Sequence, residues 1–204
     1  MSYKILTVNR EFESGGSEIA QAVAERLSLP YYDRFLIINA AENSGVQLNS
    51  AEASDEKLAS RFEYSRAQAA YYYTAEGSPL PTNARIAFAQ FDLIRQVAAE
   101  GPCLIVGRCA DNILRKEGLN VASVFICASP ETRLQRTMQS LNISESEAAR
   151  VLRQTDKSRR AYYKNYTGRE LNDPYHYSMV LNTDLVSFDE CVELICTLYG
   201  SGQA

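Results

Sequence analysis

Cys103-Leu104-Ile105-Val106 places four apolar residues in a row, and the stretch Val121 to Cys127 is mostly apolar as well. A strand with one wet face alternates apolar and polar residues. An unbroken run instead suits a strand covered on both faces, as in a parallel sheet lying between layers of helix. Around these runs the spacing changes period. Ile5–Val8 reads as a first buried strand, and Ile19, Ala20, Val23, Ala24 and Leu27 then recur at helical spacing. Pro30-Tyr31-Tyr32-Asp33 reads as a short second strand, residues 84–100 as a helix closed by Gly101-Pro102, and Met179-Val180-Leu181 as the last strand. Ser129 with Pro130 opens one helix as N-cap and first-turn proline, while Ser144-x-x-Glu147 and Ser187-x-x-Glu190 open two more. This alternation predicts an α/β fold of three layers built on a parallel five-stranded sheet, in one domain spanning residues 1–204. Ligands in such sheets bind at the carboxyl ends of the strands. That singles out Asn9–Ser17, Asp33-Arg34, Gly107-Arg108 and the segment after Cys127.

Composition removes several classes of function. The five cysteines are odd in number and none has C-x-x-C spacing, so neither a disulfide framework nor a zinc site is expected. Cys103, Cys127 and Cys191 read as buried thiols of a cytoplasmic protein. His176 is the single histidine, which excludes chemistry that needs two and leaves it as a surface or lid residue. No apolar run approaches the roughly 20 residues that span a bilayer, and the start has no charged region leading into a long apolar one. A net charge of -4 disfavours a nucleic-acid glove.

The turn after the first strand carries the chemistry. It reads Asn9-Arg10-Glu11-Phe12-Glu13-Ser14-Gly15-Gly16-Ser17 and feeds a helix. On the phosphate-binding frame G-x-x-x-x-G-K-[ST], Gly15 falls on the second glycine and Ser17 on the Ser/Thr. Arg10 stands in place of the first glycine and Gly16 in place of the lysine. The alternative is a plain glycine turn into a helix. A dinucleotide fold is disfavoured, because the turn lacks G-x-G-x-x-G.

Four runs together resemble the cytidylate kinase-like family, relatives of the nucleoside monophosphate kinases. They are Asn9-Arg10-Glu11-Phe12 with Ser14-Gly15-Gly16, Pro30-Tyr31-Tyr32-Asp33, Val106-Gly107-Arg108-Cys109-Ala110-Asp111, and Thr155-Asp156-Lys157 through Tyr162, Tyr163, Tyr166 and Gly168. The resemblance runs from residue 4 to about 198. It implies a P-loop kinase-like fold with a helical acceptor-region insertion at 35–82 and a helical lid at 150–175. The implied activity moves the γ-phosphoryl of ATP, with Mg²⁺, to a small acceptor such as the nucleoside monophosphate CMP. Arg10, Ser14, Gly15, Gly16 and Ser17 would cradle the donor phosphates, and Arg108 would hold the acceptor. Arg153, Arg159 and Arg160 would close as a lid, with Asp156 in the accompanying Asp-x-x-Arg. Ser17 and Asp33 would face the metal or steer the acceptor, Asp33 reading equally as an N-cap for a helix near Phe35. Arg133 or Arg136 would pack on the adenine, or both are surface residues paired with Glu131 or Gln135.

This chain departs from the family pattern at three places. Glu13 stands where the family has the first glycine of Gly-Ser-Gly-Gly, and a carboxylate aimed at a phosphate would oppose binding. Ser17 replaces an arginine, which supplies a hydroxyl for Mg²⁺ and removes a cation. Cys109 replaces the aspartate of a Gly-Arg-Asp run, so base specificity does not carry over. The missing lysine and Glu13 motivate a second reading, a non-catalytic protein that binds a nucleotide or another anionic metabolite. On either reading, a lysine restored at 16 is expected to strengthen ATP binding.

Arg150, Arg153, Lys157 and Arg160 share one helical face. The stripe reads as part of the lid, as a solvated face, or, with Tyr162, Tyr163 and Tyr166, as a nucleic-acid surface that the acidic total disfavours. Tyr71, Tyr72 and Tyr73 are candidates for stacking on an acceptor base, and tyrosines within 64–73 for a homodimer surface.

Overall fold

A computed structural model of the chain describes residues 4–33 and 82–201. Arg34, the expected insertion up to residue 81, the tyrosines at 71–73 and the expected dimer surface lie outside the described residues. Five strands alternate with helices: β1 (Ile5–Arg10), α1 (Gly16–Leu27), β2 (Tyr31–Tyr32), α2 (Thr82–Glu100), β3 (Cys103–Val106), α3 (Ala110–Lys116), β4 (Val121–Cys127), α4 (Pro130–Leu141), α5 (Glu145–Thr167), a 3-10 turn (Pro174–His176), β5 (Met179–Asn182) and α6 (Phe188–Ser201). The strands form one sheet in the order β2-β3-β1-β4-β5, and every pairing is parallel.

Strand periodicity divides the core. Leu6, Val8, Leu104, Val106, Val124 and Ile126 face the same side and pack with α1 and α6 through Ile19, Val23, Val192 and Ile195. Ile5, Cys103, Ile105 and Val121 face the other side, against Phe91 and Ile94 of α2 and Leu114 of α3. This is the three-layer arrangement that the apolar runs imply. Cys103 and Cys191 are buried as expected, Cys127 is half-buried, and Cys109 is buried too. Burial pushes the Cys103 thiol up to about 11.

Local signals place the helix ends. Ser129 accepts from the Thr132 amide at 3.2 Å at the start of α4, and Ser144 with Glu147 forms the capping box of α5. Helix α5 runs without a break from that box to Gly168, which closes it in the left-handed conformation at φ 76°. It packs along α4 and over the carboxyl ends of the central strands. No described helix is long and apolar enough to cross a membrane.

Candidate active site

Two cavities meet at the carboxyl end of the sheet. The first follows the turn from β1 into α1 and is lined by Arg10 through Glu18 and by Arg159. The second lies over β1 and β3, lined by Asn9, Arg10, Gly107, Arg108, Arg159, Tyr162 and their neighbours. Arg10 and Arg159 border both.

The first cavity is built around an uncapped helix start. The N-cap of α1 is Gly15, at φ 79°, and no side chain caps it. The leading amides of a helix have no partner within it, and its dipole adds partial positive charge there, which suits an anion. The rest of the loop is held from outside. Ser14 is buried and donates to Glu11 O at 3.0 Å, while its own carbonyl accepts from Thr183 Oγ1 at 2.9 Å. The Ser14 hydroxyl therefore shapes the turn. Arg136 Nη1 reaches Thr183 Oγ1 at 3.2 Å and Glu13 O at 3.4 Å, joining the loop to the segment after β5.

Glu13 sits at φ 55°, the left-handed region that a glycine adopts without strain. Its carboxylate accepts from Ser140 Oγ on α4 at 3.3 Å. The side chain thus leans toward α4, while Glu13 still borders the first cavity. Position 16 brings a correction. A Cβ added at Gly16 would stand 2.6 Å from Arg10 Cβ and 3.1 Å from Ile126 Cβ. A lysine placed there has no room while Arg10 is present, so the expected gain from that single change is withdrawn.

Around the second cavity the backbone is tightly wound. Gly107, Arg108 and Cys109 are left-handed in succession, at φ 75°, 56° and 60°. Five described non-glycine residues have positive φ: Ser28 and Asn142 end helices, whereas Glu13, Arg108 and Cys109 border the two cavities. Strain of this kind gathers where side chains must be aimed. Arg108 stacks over the Tyr162 ring at 5.2 Å, and Arg159 over Phe12 at 5.4 Å, with its Nη1 3.4 Å from Arg10 O. Behind them Asp111 is buried and accepts from Asn9 Nδ2 at 3.1 Å and from the Tyr163 hydroxyl at 2.7 Å. Burial, with that carboxylate beside it, pushes the Tyr163 hydroxyl far above its ordinary range.

The expected site residues separate into groups. Arg10, Ser14, Gly15, Gly16, Ser17, Arg108 and Arg159 come together at the two cavities. Arg136 braces the loop, and Asp33 follows β2 at the same end of the sheet. Asp156 lies elsewhere: it is buried, with Oδ1 taken by the Phe12 amide at 3.0 Å and Oδ2 by Arg133 at 2.5 Å. Arg133 is accordingly neither exposed nor facing a base; its Nε also bonds Ala128 O at 3.2 Å and lies 3.4 Å from Glu11 Oε2. Arg153 and Arg160 are exposed with Arg150 and Lys157 and line neither cavity. Asn9 falls in the segment that the sequence singles out, whereas Tyr162 and Tyr163 stand there only in the family-like run and as a candidate nucleic-acid surface, not for this cavity. Asn9 carries a signal, as a polar residue following the buried run of β1; the two tyrosines do not.

Comparison with known proteins gives the arrangement a setting. A profile described as the cytidylate kinase-like family matches residues 5–185. No curated protein matches the chain. Among solved structures, an uncharacterized protein from Eubacterium ventriosum is 25% identical, covering 97% of this chain and 98% of that one, with a TM-score of 0.72. A shikimate kinase from Bacteroides thetaiotaomicron is 12% identical over 96% of this chain and 98% of that one, with a TM-score of 0.54. A sugar kinase from Janibacter sp. is 17% identical over 97% and 95%, with a TM-score of 0.53. The last two likenesses are of fold.

Proposed function

Because the chain belongs to the cytidylate kinase-like family, we propose that it transfers the γ-phosphoryl group of ATP to a small acceptor, a nucleoside monophosphate being the first candidate. The observation that carries this reading is the sharing of Arg10 and Arg159 by the two cavities. Phosphoryl transfer asks the protein for positioning and for cations on the moving charge, with little covalent work. Donor phosphates at the start of α1 and an acceptor beside Arg108 would put the migrating group between those two guanidiniums. Their planar donor forks suit phosphate oxygens.

Ser17 and Asp33 are the residues that would hold Mg²⁺. Ser17 lines the first cavity and Asp33 follows β2 at the same end of the sheet, and hard oxygens of this kind, completed by substrate phosphates and water, are what the metal takes. When bound, the ion would offset phosphate charge. Ser17 Oγ accepts from Arg10 Nε at 3.2 Å, so the same hydroxyl also positions the guanidinium.

CMP as the acceptor is one form of this proposal. The residue after Arg108 is Cys109, which is 2% exposed and whose thiol burial pushes well above its ordinary range. It offers no carboxylate to read a cytosine. The binding-only alternative rests on the missing lysine and on Glu13, which contacts Ser140 and borders the first cavity. Calorimetric titration with Mg-ATP and Mg-GTP tests the proposal. Saturable binding is expected, and no binding of either nucleotide would sink it.

A further inference from the structure

We infer that Arg10 is the phosphate-gripping cation of this loop, standing in for a lysine at position 16, and that Gly16 is the space that allows it. The inference rests on the phosphate-binding reading of the loop and deepens it by assigning the residue that does the work.

Arg10 ends β1 and Gly16 begins α1. By strand alternation Arg10 projects to the side of Leu6 and Val8, the side on which α1 packs. Its stem fills the place where a side chain at 16 would start: the added Cβ would lie 2.6 Å from Arg10 Cβ and 3.1 Å from its Cγ. Neither partner can move aside easily. The Arg10 stem is fixed to a strand paired with β4, Ile126 Cβ closes the far side at 3.1 Å, and the Glu11 amide bonds Ile126 O at 3.0 Å.

The guanidinium then crosses the site. Nε donates to Ser17 Oγ at 3.2 Å, in the first turn of α1. Nη1 reaches to 3.0 Å from where a Cβ of residue 107 would be, a position held by glycine at φ 75°. Arg10 thus extends from the phosphate loop to the acceptor cavity, passing over two glycines that leave it room. A lysine rising from position 16 would deliver one compact charge to the loop, whereas this arginine presents a fork of donors to both cavities. In the frame G-x-x-x-x-G-K-[ST], position 10 is the first glycine and position 16 the lysine. The two departures, arginine for glycine and glycine for lysine, are therefore one compensated exchange.

Reversal of the exchange is the test. Binding of Mg-ATP and of inorganic tripolyphosphate would be measured by calorimetry, with the melting temperature of each variant. Arg10→Ala is expected to weaken both ligands about ten- to a hundredfold with the fold intact, the loss of one charge-assisted hydrogen bond. Gly16→Lys alone should lower the melting temperature and weaken binding. Arg10→Gly with Gly16→Lys restores the full frame and should return affinity to within about tenfold of the native chain. Arg10→Ala with Gly16→Lys should not, because alanine keeps the Cβ at the point of collision. Native-like affinity in Arg10→Ala, or a folded Gly16→Lys that binds more tightly with Arg10 present, would overturn the inference while leaving the kinase reading standing. Arg10-dependent binding of tripolyphosphate without transfer to any acceptor would do the reverse. A native chain that binds neither ligand overturns both.

Discussion

The Asp156 carboxylate on α5 and the Arg133 guanidinium on α4 meet at 2.5 Å, both buried, and together they grip the backbone of Phe12 in the turn from β1 into α1. The amide of Phe12 donates to Asp156 at 3.0 Å, and its carbonyl accepts from Arg133 at 3.2 Å. One loop residue is thereby tied to two helices. Removing one partner of a buried pair strands the other charge and costs about 3–5 kcal/mol. Urea denaturation of Asp156→Ala should show a loss of that order. In the double change with Arg133→Met the losses should fall short of additive by about 0.5–3 kcal/mol. Additive losses would mean that the two residues act separately.

Glu13 holds a left-handed backbone at φ 55° and its side chain faces Ser140. An L residue in that region is strained by roughly 1–2 kcal/mol, and glycine is not. Glycine also has more freedom to lose on folding, which offsets part of the gain. Glu13→Gly should therefore raise stability by about 0.5–1 kcal/mol and leave Mg-ATP affinity unchanged or improved. A clear loss of affinity in calorimetry would show that the carboxylate serves the ligand directly.

Arg108 and Arg159 should fail differently. Arg108 lines only the cavity over β1 and β3, which we assign to the acceptor, so Arg108→Ala is expected to raise the acceptor KM with a smaller effect on the KM for ATP. Arg159 borders both cavities, and Arg159→Ala should chiefly lower kcat, by about a hundredfold if it steadies charge in the transition state. Steady-state kinetics with each substrate varied separates the two. Identical profiles would contradict the division of roles.

Burial raises the Cys103 thiol from 9.0 to about 11, with Glu100 adding to the shift. Between those values the unfolded chain releases a proton that the folded chain keeps. This group's contribution is therefore complete below about pH 9 and is lost as pH rises toward 11, with a slope of up to about 1.4 kcal/mol per pH unit. Replacing Cys103 with valine should make the alkaline fall in urea stability shallower by that one-proton component. An unchanged slope would place the alkaline sensitivity elsewhere.

The sheet was legible because β1, β3 and β4 are short runs largely apolar on both faces, and because serine marks the starts of α4, α5 and α6. The turn from β1 into α1, which we read as a phosphate loop, stands out in the sequence through Gly15, Gly16 and the strand before them. Of the arginines expected to form a lid, only Arg159 reaches the cavities. Spacing groups Arg153 and Arg160 with Arg150 and Lys157 on one face, which the fold leaves exposed. Arg159 sits about 100° around the helix from Arg160, enough to reach the site instead. Which face turns inward depends on how α5 packs against α4. Asp156 has its partner 23 residues away and Asn9 bonds a residue 102 positions on, distances at which sequence spacing carries no signal. The collision between Arg10 and Gly16 was hidden for a related reason: it depends on how the turn folds back on its own strand.

The most direct test of the central claim is phosphoryl transfer. ADP or GDP release would be followed with Mg²⁺, ATP or GTP, and a panel of nucleoside monophosphates, for the native chain and for Arg108→Ala. The account predicts release that depends on an acceptor and falls strongly in the variant. Nucleotide binding that raises the melting temperature, with no acceptor-dependent release across the panel, would contradict the nucleoside monophosphate kinase reading and favour a protein that only binds.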